Sequence, residues 1–93
     1  MVEISDLNHK DLIALAIFLG TPGVAAICKK LNGLGIAISE STVRARLSEM
    51  LHEGTVFQLL RQKPSGFALT VKGESQVVDV TVQLTDEQLG MLA

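Results

Sequence analysis

Between positions 41 and 48 the chain places Ser41, Thr42, Arg44, Ala45, Arg46 and Ser48, short side chains bracketed by two guanidiniums. On a helix Ser41, Thr42, Ala45, Ser48, Glu49 and His52 fall opposite Val43, Leu47, Met50 and Leu51, with Arg44 and Arg46 at the margins. Small residues in the middle of such a face let a helix sit close to a surface. An arginine fork matches both a phosphate and the edge of guanine. The chemistry this pattern supports is non-covalent, the reading of a DNA major groove by residues about 40–53. Arg61 and Lys63 place two more cations beside the turn residues Pro64, Ser65 and Gly66, where they would meet the sugar–phosphate backbone.

Other chemistries find no constellation. His9, Cys28 and His52 are the only imidazole or thiol groups, and their spacing does not suit a metal site. The chain has no glycine-rich phosphate loop, nucleophile elbow or carboxylate pair in an apolar setting. A non-enzyme is expected, with no catalytic residue, metal, cofactor or small-molecule ligand. Trp and Tyr are absent, and Phe18, Phe57 and Phe67 all occupy expected core positions, which leaves no platform for stacking single-stranded bases. One cysteine precludes an internal disulfide and fits a reducing cytoplasm. The amino-terminal residues lack the positive region of a signal peptide, and no apolar run approaches the roughly 20 residues of a spanning helix. A soluble cytoplasmic protein with no membrane association is expected.

The formal net charge is −2, a value that alone argues against a nucleic-acid partner, but its distribution is uneven. Residues 1–28 carry −2 and residues 73–93 carry −4, whereas between 29 and 72 seven cationic side chains oppose three carboxylates. The positive charge coincides with the candidate reading face. At 93 residues the chain accommodates one domain with one modest core and no deep catalytic cleft. An apolar share of 47% is high for so short a chain, which suggests that a second copy covers part of the surface.

Caps and periodicity give the helices and strands on which these groups stand. A first helix is expected over residues 7–19, with Ser5 or Asp6 as N-cap and Gly20 as the stop. Its apolar residues spread around most of its circumference, as in a central rod or a dimer seam. Thr21 would cap a second helix with Pro22 at its first position and Val24, Ile27, Cys28 and Leu31 facing inward, while Lys29 and Lys30 point away. Asn32, Gly33 and Gly35 break it, residues 36–38 are long enough for a short strand or extended segment, and Ser39 caps the third helix. After Gly54, residues 55–62 and 67–71 read as a hairpin with Phe57, Leu59, Phe67 and Leu69 sharing its inner face. Thr70 opens a short helix. Val78, Val80, Val82 and Leu84 alternate with polar residues as a half-buried strand would, with a continued helix as the competing reading; such a strand could pair with a second copy. Thr85 to Gln88 resembles a capping box that opens a last turn ending at Met91 and Leu92. This gives an α+β domain over residues 1–93, with a core from 6 to 77 and a C-terminal extension from 78 to 93.

Four stretches carry a family resemblance. They are Ala26-Ile27-Cys28-Lys29-Lys30-Leu31, Ile38-Ser39-Glu40-Ser41-Thr42-Val43-Arg44, Leu51-His52-Glu53-Gly54 and Gly66-Phe67-Ala68-Leu69-Thr70-Val71-Lys72-Gly73. Through them residues 24–77 resemble a winged helix-turn-helix domain, of the variety found at the amino end of ribonuclease R and in archaeal nitrogen-responsive repressors. The resemblance implies a three-helix core with a two- to three-stranded β-wing, and regulation of transcription on double-stranded DNA. The third helix would lie in the major groove and residues 61–66 would form the wing. Thr55 departs from the aliphatic residue that often follows the glycine in that family. The expected protein is a small, sequence-specific DNA-binding homodimer. The alternative is a winged-helix adaptor that docks on another protein, a reading prompted by the acidic total and the apolar excess.

Overall fold

Asn8, rather than Ser5 or Asp6, opens the first helix, α1 (His9–Phe18), its Oδ1 accepting the Asp11 amide at 2.8 Å. Ser5 and Asp6 belong instead to a 3-10 turn, Ile4–Asp6, which extended backbone at Leu7 separates from α1. The computed structural model describes residues 3–21, 23–59 and 66–92. These residues form five α-helices and a two-stranded antiparallel sheet, an α+β arrangement. Six consecutive residues of α1, Leu12 to Ile17, are buried, so this helix is the central rod. It contacts α2 (Val24–Gly33), α3 (Glu40–Glu53), β2 (Gly66–Leu69) and α4 (Val71–Thr81).

The first three helices end in the same way. Gly20, Gly35 and Gly54 take left-handed φ values of 105°, 85° and 80°. Each sits where the next amide turns back to a carbonyl five residues earlier: Thr21 to Ala16, Ile36 to Leu31 and Thr55 to Met50. Only glycine takes that conformation without steric penalty, so the stops were legible in the sequence. The start of α2 differs from expectation. Gly23 is its N-cap, with extended backbone and no side-chain cap, and Thr21 lies outside the helix. Pro22 is outside the described residues. Gly33 is helical and the break follows it, while residues 36–38 run extended without joining a sheet among the described residues. Ile36 and Ile38 still enter the core.

The hairpin corrects a parity. β1 (Val56–Leu59) pairs with β2 so that Val56 opposes Leu69, Phe57 opposes Ala68 and Gln58 opposes Phe67. Because side chains alternate, Val56, Leu69 and Phe67 share the inner face and Phe57 and Leu59 lie on the other. The cause lies at the exit from α3. Thr55 is buried, donates its hydroxyl to the Met50 carbonyl at 3.1 Å and accepts the Thr70 amide at 3.0 Å. That anchoring directs Val56 inward, and the next residue must point out. Phe18 and Phe57 are each 47% exposed, so of the three phenylalanines only Phe67 packs against the core. Two phenylalanine rings are thus open to stacking, contrary to the expectation that all three are buried.

The chain from Val71 to Thr81 is helix, not a helix followed by a strand. Thr70 Oγ1 accepts the Gly73 amide at 3.2 Å and donates to the Gly54 carbonyl at 2.6 Å, which fixes the start of α4 against the exit of α3. Gly73, Val77 and Val80 then face the core at spacings of four and three. The alternation of Val78, Val80, Val82 and Leu84 is divided between two helix sides. Val78 and Val82 point to solvent, and Val80 is buried with Leu84 packed behind it. The expected capping box holds: Thr85 and Gln88 exchange hydrogen bonds of 2.9 and 3.1 Å at the start of α5 (Asp86–Leu92). Leu92 is fully buried, so residues 78–92 pack into the domain and the described core runs from Ile4 to Leu92.

Candidate nucleic-acid interface

Ser39 starts α3 by accepting the Thr42 amide on Oγ at 3.2 Å, and Gly54 stops it. Val43, Leu47 and Met50 bury one side. The opposite arc is open: Ser41, Ala45, Ser48, Glu49 and His52 are exposed, as is Arg44 at its edge. Thr42 is half-buried, with Oγ1 3.0 Å from Ser39 Oγ, and the Ser41 hydroxyl lies 3.1 Å from the same oxygen. Those two hydroxyls therefore belong to the cap as well as to the surface.

The two arginines separate. Residues two apart on a helix differ by about 200° around its axis, and here that places Arg44 and Arg46 on opposite margins. Arg44 is open, its side chain 65% exposed and its Nη2 4.0 Å from Glu40 Oε2. Arg46 lies beside Asn8, His9 and Lys10 at the start of α1. Its Nε is sealed from solvent and meets Glu49 Oε2 at 3.1 Å, an ion pair without the alignment of a hydrogen bond. Lys10 reaches Glu53 Oε1 at 3.0 Å and Glu49 Oε2 at 3.9 Å from the same side. One margin of α3 is thus tied to α1 by charge. Next to Lys10, partial burial raises the Asp11 carboxyl above its ordinary pKa.

The other margin is a cleft. Arg44, Ser48 and Leu51 of α3 line it with Val24 of α2, Gln58 of β1 and Phe67 of β2. Leu51, expected in the core, is 39% exposed because its wheel position turns it toward this cleft. Arg61 and Lys63 lie outside the described residues.

Two contributions escaped the sequence reading. Lys10 reaches Glu53 across a separation of 43 residues, and no local pattern announces such a contact. Asn32 was read only as a helix breaker, yet its Nδ2 donates to the Cys28 carbonyl at 2.8 Å and to the Ile38 carbonyl at 2.9 Å. It ties the end of α2 to the segment entering α3; an Asn one turn after an inward residue and just before a glycine break was the available signal. Among the described residues no group of His, Cys, Asp and Glu gathers to hold a metal. No helix among them is long and apolar enough to cross a membrane. Compared with protein-family models, curated proteins and solved structures, the chain gives no match.

Proposed function

We propose that this chain is a winged helix-turn-helix protein that binds double-stranded DNA sequence-specifically and acts as a small transcriptional regulator. In this reading α2 and α3 form the helix-turn-helix, α3 enters the major groove, and the β1–β2 hairpin with Arg61 and Lys63 is the wing. The observation that carries it is the exposed arc of Ser41, Arg44, Ala45 and Ser48 on a helix whose other sides are held by the core and by α1. Small residues admit the helix to the groove, and Arg44 supplies a fork at its edge. Arg46, on the other margin, is held by Glu49 of the same helix beside the start of α1, so it contributes less to the groove contact. The net positive charge of residues 29–72 favours a nucleic-acid partner despite the acidic total, but it comes from the segments flanking α3, which itself carries Glu40, Glu49 and Glu53 against Arg44 and Arg46.

The test is selection of bound fragments from a random duplex pool, followed by anisotropy titrations on the enriched site. Affinity should fall by about 0.9 log units per log unit of salt for each phosphate neutralised. Arg44→Ala should weaken specific binding by about 10-fold to 100-fold, and Arg46→Ala should weaken it less, because Glu49 already holds that guanidinium. Equal binding by Arg44→Ala would remove α3 from the interface. Failure of the wild-type protein to hold any duplex at low salt would refute DNA binding.

A further inference from the structure

The face of α4 turned away from the core is an apolar seam. Val71, Val78 and Val82 are 85%, 52% and 78% exposed, and the small Ser75 stands between the first two. The spacing from 71 to 75, 78 and 82 is four, three, four, which is the repeat of the contact positions in a two-helix coiled coil. Valine is a poor choice for a solvated helix surface, since it exposes apolar area and has low helix propensity. Three of them in register on one face point to a cover.

The charges beside the seam select the cover. Lys72 and Asp79 lie along one flank and Glu74 along the other, all exposed. If a second α4 packed in parallel, Glu74 of one helix would face Asp79 of the other, a like-charge contact made twice. In the antiparallel arrangement each flank meets its own copy. Val71 then packs on Val82, Ser75 on Val78, and Lys72 comes within reach of Asp79, again twice. Lys72 donates to the Glu53 carbonyl at 2.9 Å, and its ammonium keeps two further donors for the ion pair. Within one helix Lys72 and Asp79 are about 10 Å apart along the axis and cannot pair.

We propose that this face binds a second copy of the chain, with the two α4 helices antiparallel about a two-fold axis. The interface does not depend on DNA binding, and it replaces the strand pairing expected for the same segment. Two helices of 11 residues bury less than the ~1,200–2,000 Å² of a stable interface, so the dimer is weak and concentration-dependent.

Sedimentation equilibrium of the full chain without DNA, from about 10 µM to about 1 mM, tests it, with circular dichroism melts confirming that each variant folds. The wild-type protein should pass from monomer to dimer across this range. Val78→Glu should weaken the dimer about 100-fold, because it buries a charge without a partner. Lys72→Glu alone and Asp79→Lys alone should each weaken it, and the double exchange should restore it. A wild-type protein that stays monomeric throughout overturns the proposal. So does dimerisation strengthened by Asp79→Lys alone, the signature of parallel pairing, or a double exchange no better than the single changes.

Discussion

Gly73 is where a single atom decides the packing of the fold. A Cβ there would collide with the Thr55 carbonyl oxygen and press on the Leu69 side chain at 3.2 Å. In an ordinary helix interior, exchanging glycine for alanine stabilises by about 1 kcal/mol. Here the colliding atom is backbone already engaged by the Thr70 amide, so it cannot move aside cheaply. Gly73→Ala is therefore expected to destabilise by about 3 kcal/mol, measured as a lower urea midpoint with an unchanged slope. Arg44 and Arg46 make the complementary point. They have the same side chain two positions apart, but one is open at the edge of a cleft and the other lies half-buried beside the start of α1, its Nε shielded.

Among the elements, the approach from α2 to α3 is bonded by Asn32 and, more weakly, by the Cys28 thiol, which donates to the Ile38 carbonyl at 3.4 Å. Asn32 donates to carbonyls at both ends of the turn, and two hydrogens serve two strong acceptors, the Cys28 and Ile38 carbonyls, with the Cys28 sulfur at 3.3 Å beside them. Asn32→Ala should cost about 1 kcal/mol, the net worth of a typical hydrogen bond. Asn32→Asp should cost more than the alanine change at neutral pH, because it sets a carboxylate against two carbonyl oxygens. Thermal melts of the two variants check the order; equal effects would mean that this contact does not fix the turn.

At the scale of the whole molecule, the two ends of the chain close one core. Ile4 and Leu92 are both buried in it, although neither lies in the segment that bears the candidate reading face. Leu92→Ala should destabilise the entire domain by about 2–5 kcal/mol, as expected for a fully buried leucine. Chemical denaturation followed by circular dichroism would show one cooperative transition shifted as a unit. A transition in which only the last turn is lost would mean that α5 is merely laid against the surface.

The features legible from residue order alone are local. Gly20, Gly35 and Gly54 permit the left-handed backbone that ends a helix, Ser39, Thr70 and Thr85 offer oxygens to free amides, and Val43, Leu47 and Met50 repeat at helical spacing; each rule operates within a few residues, and each appears in the structure as read. Tertiary contact decided the rest. The parity of β1 follows from where Thr55 is anchored between Met50 and Thr70, so Phe57 turned outward against a reading made from alternation alone. Residues 78–81 satisfied both a strand and a helix pattern, and the docking of Gly73 on Thr55 selected the helix. Likewise Arg46 came to lie beside the start of α1, where Lys10 reaches Glu53 across 43 residues. Short-range rules leave such choices degenerate, and only atoms brought together from distant parts of the chain remove the degeneracy.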